Sequence, residues 1–144
     1  MKLAICTDVF ADLSYTDMLD KVKSLGIDAV EMTAGGWGAR KHCNTAELLA
    51  DEGKRKEFMG ELEKRGMRIS ALNTSCNPLW PSKTGEEYKK SMYDCATLAG
   101  LLGAKKIVAM AGLPAAKPTP PRTGSPLPFP GRTLWLRLTS TSGR

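Results

Sequence analysis

The region after residue 94 is notable for the chemical groups that it lacks. Residues 95–144 contain no Asp, Glu or His, although they carry seven Lys or Arg residues. Without carboxylate or imidazole groups, this region cannot supply an ordinary site for a hard divalent metal. Residues 1–94 hold all 15 acidic residues and 14 basic residues. The net charge of +6 therefore belongs to the C-terminal region and not to the body of the chain.

Cysteine motifs, histidine and long apolar runs are also scarce. The four cysteines, at positions 6, 43, 76 and 95, have no Cys-x-x-Cys spacing, and His42 is the single histidine. This spacing argues against a zinc knuckle. The apolar run before Thr7 is too short for a secretory signal, and no run reaches membrane-spanning length. These features predict a cytoplasmic protein with reduced thiols and no membrane association.

The composition changes again after Leu113. Seven of the nine prolines lie between positions 114 and 130, and no apolar period continues to Arg144. We divide the chain into a body, residues 1–114, and a Pro-rich basic tail, residues 115–144. The tail is predicted to be disordered, because it has few apolar groups to offset its conformational entropy. Two origins stay open for the tail: a genuine linker, or a reading-frame shift that replaces further strand and helix units.

Strand and helix patterns alternate through the body. Predicted strands are Leu3–Cys6, Ile27–Met32, the apolar run Ile69–Leu72 and Lys106–Met110, and predicted helix starts are Ser14 or Thr16, Asn44, Glu52 and Thr84. Right-handed crossovers make such strands parallel, with the helices outside. The prediction is an α/β fold, an incomplete TIM-type barrel of four parallel strands in the order 1-2-3-4. The alternative is a doubly wound sheet, but the turn after strand one has no glycine for a phosphate cradle.

A resemblance to a known family appears at residues 72–81, which read Leu-Asn-Thr-Ser-Cys-Asn-Pro-Leu-Trp-Pro. This segment resembles Leu-Asn-Cys-Ser-Gly-Asn-Pro-Leu-His-Pro of the sugar phosphate isomerase/epimerase family. The segments Glu47–Phe58 and Leu101–Val108 agree with it, and the likeness covers roughly residues 1–114. Cys76 stands where the family has Gly, and Trp80 stands where it has His. The resemblance implies the N-terminal half of a xylose-isomerase-like barrel.

The family resemblance also implies an activity. It implies aldose–ketose isomerisation or ketose epimerisation of a sugar or sugar phosphate, through an enediolate stabilised by a divalent metal. The metal, Mn, Mg, Co or Zn, is held at the ends of strands five to eight in the family. Because this chain of 144 residues is short for a barrel that typically needs about 250, it is expected to lack those strands. The resemblance therefore implies a chain without a catalytic metal and without activity on its own.

A second function from a different class stays open. The chain could be a non-catalytic module whose basic tail binds nucleic acid or an acidic partner. The seven basic residues of positions 95–144, five of them in the tail, would make such binding strongly salt-dependent. The tail offers only Phe129 and Trp135 for stacking and contains no recognised nucleic-acid motif, so we favour the barrel interpretation.

Candidate site residues follow the predicted strands, because loops after parallel strands carry function in such folds. Glu31 closes predicted strand two and is the one catalytic candidate, although a solvated strand-end acid would look the same. Asn73 follows strand three and can donate to and accept from sugar hydroxyls. Asn77, next to Pro78, fits either substrate contact or ordinary turn chemistry. Asp8, after strand one, is equally ambiguous.

The glycine-containing loop 33–43 supplies further candidates. Trp37 could form a platform for a sugar face, and Arg40, Lys41 and His42 could contact a phosphate. A lone histidine in a basic loop is more commonly solvated than catalytic. The predicted substrate contacts are thus Glu31, Trp37, His42, Asn73 and Asn77, with no metal ligand.

The predicted strand count has a consequence for assembly. Four strands cannot close a barrel, so strands one and four are expected to expose unpaired backbone groups. The sequence therefore predicts self-association.

Overall fold

The computed structural model describes residues 3–111. The predictions for the Pro-rich tail lie outside these residues. The elements in chain order are β1 (Ile5–Cys6), a 3-10 turn (Thr7–Phe10), α1 (Tyr15–Ser24), β2 (Ala29–Gly36), α2 (Thr45–Ala50), α3 (Glu52–Glu63), β3 (Arg68–Ser75), α4 (Lys83–Leu102) and β4 (Ile107–Ala109).

The four strands form one parallel sheet in the order β1-β2-β3-β4. Each strand lies beside its sequence neighbour, as right-handed crossovers that all run the same way require. In a doubly wound sheet β1 would lie inside the sheet, but here it is an edge strand. The fold is therefore α/β, a partial TIM-type barrel, as the sequence predicted.

Helix ends follow the local chemistry of the sequence. Ser14 caps α1, and its side-chain oxygen accepts a hydrogen bond from the Asp17 backbone N–H at 3.2 Å. Asn44 caps α2: its Oδ1 accepts from the Glu47 backbone N–H at 3.5 Å, and its Nδ2–H donates to the Glu47 carboxylate at 3.3 Å. Gly26 follows α1 with a φ of +75°, the left-handed conformation that glycine adopts without steric cost.

Strand β2 extends beyond its predicted end. Residues 33–36, expected to begin a loop, continue the strand because their pairing with β3 runs on to Gly36 opposite Ser75. Gly35 permits this extension, since a Cβ there would lie 2.2 Å from Ser91 Oγ of α4. Strand β3 likewise continues to Ser75, past the expected end at Leu72.

The start of α4 also differs from the prediction. The expected cap was Thr84, but Ser82 caps the helix and accepts from the Gly85 N–H at 3.3 Å. Gly85 packs directly against the Trp80 carbonyl, so a Cβ at this position would lie 1.8 Å from that oxygen. The cap therefore lies two residues before Thr84, and the helix begins at Lys83.

The core lies between the sheet and its helices. Its largest buried members are Met18, Leu19 and Val22 of α1, Phe58 and Leu62 of α3, Leu98 and Leu102 of α4, and Val30, Met32 and Leu72 of the sheet. Tyr88 and Met92 of α4, by contrast, are only half-buried. No helix within residues 3–111 has the length and apolar character that crossing a membrane would require.

Candidate functional site

The sheet has an inner face, defined as the face that turns away from the helix layer. Val30 and Met32 of β2 point into the core, so Glu31 between them lies on the inner face. Cys6 of β1 and Ala71 of β3 stand opposite Glu31 in the pairing register. Glu31 is half-buried and lies in the middle of β2, not at its end as the sequence predicted.

A β-bulge brings Asn73 to the same face. Val30 pairs with Ile69 but Glu31 pairs with Ala71, so Ser70 is the extra residue in β3. Ile69 and Leu72 both contact the core although they are three positions apart, which strict alternation forbids. The bulge thereby places Asn73 on the inner face, within β3 and not after it as predicted.

Glu31 and Asn73 form a direct hydrogen bond. The Asn73 Nδ2–H donates to Glu31 Oε1 at 2.7 Å, across 42 positions of sequence. Asn73 Oδ1 accepts from the Ser75 backbone N–H at 2.9 Å and from the Ser75 hydroxyl at 2.7 Å. These contacts fix the orientation of the amide. They leave the carboxylate with further acceptor positions and the amide with a second N–H for a ligand.

Other polar groups lie near the carboxyl ends of the strands. Asp8, in the 3-10 turn after β1, lies beside Gly38 and Thr33: a Cβ at Gly38 would be 2.9 Å from the Asp8 carboxylate and 2.3 Å from the Thr33 methyl. Only glycine lets the loop after β2 approach this closely. Asp8 is half-buried at this carboxyl end of the sheet.

Trp37 directly follows β2 at the same end of the sheet. Its ring is 57% exposed and meets Tyr88 of α4 edge-on, with ring centroids 6.2 Å apart. Its backbone N–H donates to the Ser75 carbonyl at 3.2 Å. The indole is thus held by its own backbone and by one aromatic neighbour, and most of it stays accessible to a ligand.

Asn77 and His42 occupy different settings. Asn77 Oδ1 accepts from the Leu79 N–H at 3.2 Å, a local contact that shapes the turn before α4. His42, expected to be solvated, is buried, and its Nε2–H donates to the Leu13 carbonyl at 3.1 Å. The histidine lines a surface groove with Tyr15 and Phe58, and within residues 3–111 it makes no contact with Glu31.

The residues described do not fit the divalent metal that the family resemblance implies. Within residues 3–111, no cluster of three or more His, Cys, Asp or Glu side chains could hold an ion. Glu31 is hydrogen-bonded to the Asn73 amide, and the Asp8 carboxylate lies separately, beside Gly38. No step of a reaction is therefore assigned to a metal on these residues.

Three of the four thiols are set apart from this face. Cys43, Cys76 and Cys95 are buried in the helix-facing layer. Burial raises the pKa of the Cys43 thiol to about 11 and that of the Cys95 thiol to about 11. These groups are uncharged at neutral pH and are poor nucleophiles.

Comparison with known proteins supports the fold. The chain is 48% identical over 118 residues to the uncharacterized protein YfiH of Bacillus subtilis (strain 168), covering 82% of this chain and 38% of YfiH. It also superposes on the crystal structure of the probable 3-DHS dehydratase AsbF, involved in petrobactin synthesis, from Bacillus anthracis. The TM-score is 0.56 at 21% identity, over 78% of this chain and 39% of AsbF.

These comparisons define a class of fold. At 21% identity the likeness to AsbF shows the fold alone, a partial TIM-type barrel. The chain spans about two fifths of the length of each of these two proteins. No protein-family model matches the chain.

Proposed function

We propose that this chain is the substrate-contacting part of a sugar isomerase/epimerase-like barrel, of the sugar phosphate isomerase/epimerase family. The observation that supports the proposal most directly is the Glu31–Asn73 hydrogen bond on the inner face. The Glu31 carboxylate offers hydrogen-bond acceptors, and the second Asn73 N–H offers a donor. Each hydroxyl of a vicinal pair both donates and accepts, so the two side chains together match such a pair. The xylose isomerase-like fold of AsbF supports the same class.

The ligand would be a sugar or sugar phosphate lying across the carboxyl ends of β2 and β3. Glu31 and Asn73 would bind hydroxyls, and the exposed Trp37 ring would stack on an apolar sugar face. Glu31 is also the group best placed to accept a proton from carbon next to a carbonyl. Because the residues described fit no metal, we expect the isolated chain to bind sugar without converting it.

Ligand binding tests the proposal through Glu31. A panel of ketoses, aldoses and their phosphates is titrated against the chain, with tryptophan fluorescence and NMR shift changes as readouts. Glu31→Gln should weaken binding about tenfold or more, since hydrogen bonds to charged groups contribute roughly 1.5–3 kcal/mol. Glu63→Gln, an exposed acid on α3, serves as the matched control and should bind like the wild type.

Two results would contradict the proposal. Equal affinity of the wild type and Glu31→Gln for every sugar would remove Glu31 from the site. Measurable manganese-dependent epimerisation or isomerisation by the isolated chain would show that the expected inactivity is wrong.

A further inference from the structure

A hydroxyl group stands on the packing face of α4. Cys95, Leu98 and Leu102 are buried members of the core, at the spacing of one helix face. The same spacing, continued towards the start of the helix, reaches Ser91 and Tyr88, which are half-buried. A polar group on a packing face requires a hydrogen-bond partner. The partner of Ser91 therefore indicates what this part of α4 does.

Ser91 binds the last residue of β2. The Gly36 N–H donates to Ser91 Oγ at 2.8 Å, across 55 positions of sequence. Ser91 Oγ also lies 3.4 Å from the hydroxyl of Thr74, which has no exposure. Because Gly35 has no side chain, α4 can approach the end of β2 this closely. The end of β2 is therefore held by the helix as well as by β3.

Gly36 turns the chain towards Trp37. Its φ is +74°, and a Cβ at this position would lie 2.3 Å from the Ser75 carbonyl oxygen, so only glycine fits. Glycine left to itself would make this turn mobile, but the peptide groups on both sides of its α-carbon are bound. The Gly36 N–H is bound by Ser91, and the Trp37 N–H is bound by the Ser75 carbonyl at 3.2 Å. These two hydrogen bonds fix the direction in which the chain leaves β2.

Tyr88 acts on the indole itself. It precedes Ser91 by one helical turn, on the same face of α4, and meets the Trp37 ring edge-on at a centroid distance of 6.2 Å. One face of α4 thus holds both the backbone before Trp37 and the ring.

We propose that Ser91 is a positioning residue of the sugar site, which holds Trp37 in one orientation from α4. Its effect on sugar binding rests on the proposed function, whereas its effect on the indole does not. Without the Ser91 acceptor, the Gly36 N–H would lose its partner and the turn would be free to rotate. A sugar would then have to order the indole on binding, and ordering one side chain weakens affinity about two- to tenfold.

The indole of the sugar-free chain tests the proposal. In the full chain carrying Trp80→Phe and Trp135→Phe, Trp37 is the single tryptophan. Adding Ser91→Ala should give the decay of Trp37 fluorescence anisotropy a new fast component and should weaken the near-UV circular dichroism of the indole. Thr97→Ala is the matched control. It removes an exposed hydroxyl of α4 that donates to a carbonyl of its own helix, and it should leave both signals unchanged.

A wild-type measurement keeps the test independent of whether Ser91→Ala folds, which far-UV circular dichroism reports. After correction for intrinsic rates, the Gly36 amide should exchange about tenfold or more slowly than that of exposed Ala39 in the following loop. Equal exchange of these two amides, measured by NMR, would overturn the proposal. So would a folded Ser91→Ala variant whose indole is as immobile as in its parent, or equal loosening of the indole by Thr97→Ala.

Sugar titration separates this proposal from the proposed function. A sugar that binds the wild type should bind Ser91→Ala about two- to tenfold more weakly. An unchanged affinity would overturn the role of Ser91 at the site while leaving the proposed function in place. A wild type that binds no sugar would contradict the proposed function, and the anisotropy and exchange measurements would still decide whether Ser91 holds Trp37.

Discussion

Single side chains in this protein behave according to the face of the sheet that they occupy. Glu31 is half-buried on the inner face, with an amide donor 2.7 Å away. Cys43, one layer away on the helix side, is enclosed, and burial raises its pKa to about 11. The two side chains differ in enclosure because they occupy different sides of the sheet.

This difference predicts the reactivity of the thiols. In dilute native protein at mildly alkaline pH, one thiol per chain, that of half-exposed Cys6, should react quickly with Ellman's reagent. The other three should react only after denaturation, because burial keeps their sulfur atoms out of contact with the reagent. Cys6→Ser should abolish the fast phase. Two or more fast thiols in the native wild type would contradict the prediction.

Individual elements are held at their ends by short side chains. Ser14, Asn44, Asp51 and Ser82 each cap a helix by accepting a backbone N–H. Such caps satisfy donors that have no partner within the helix. The four helices thus begin where a capping residue stands.

The start of α4 gives a matched pair of substitutions. Ser82→Ala should lower the free energy of unfolding by about 1 kcal/mol, since the Gly85 N–H loses its acceptor. Thr84→Ala should change it by no more than about 0.5 kcal/mol, because Thr84 is exposed inside the first turn. Urea unfolding followed by circular dichroism measures both. Equal destabilisation by the two variants would show that Ser82 is not the residue that caps α4.

On the scale of the whole molecule, Arg65 ties the first helix to the third. Its guanidinium donates to both Asp20 carboxylate oxygens, at 2.6 and 3.2 Å, and to Glu61 at 2.7 Å. The Arg65 hydrogen bond lowers the pKa of Asp20. Hydrogen bonds from Lys64 and then from Arg65 lower the pKa of Glu61.

This network predicts how stability depends on pH. Carboxyls with lowered pKa stabilise the fold above their ordinary values, 3.8 for Asp20 and 4.5 for Glu61, and lose that contribution as pH falls through the lowered values. The stability deficit of Arg65→Met should therefore be largest near neutrality and shrink in acid. Thermal melts across this range measure it, with exposed Arg68→Met as control. A deficit that stays constant into acid would mean that lost packing, not charge, explains the effect.

Much of the fold could be predicted from local sequence. The apolar spacing of Met18, Leu19 and Val22 predicted the buried face of α1, and Gly26 predicted its end. Alternating strand and helix patterns predicted the parallel order of the sheet. These predictions succeed because helical spacing, helix ends and strand patterns each depend on residues close together in the chain.

The positions of the candidate site residues could be predicted less well than the order of the strands. Glu31 and Asn73 were both singled out as strand-end groups, yet both lie inside longer strands. Trp37 was predicted as a platform and is exposed, whereas His42 is buried against Leu13. Burial of His42 depends on where the loop after β2 packs, which no local pattern specifies.

The sequence by itself determined the order of the elements and the charge imbalance between body and tail. Only the tertiary structure decided that Glu31 and Asn73 meet. Strict alternation from Ile69 would turn Asn73 towards the helices, and the extra residue Ser70 reverses its direction. That bulge is set by pairing between strands some 40 residues apart, where the Ser70 hydroxyl donates to the Val30 carbonyl at 2.9 Å. Strand register arises from such long-range contacts, so it is fixed only when the sheet assembles.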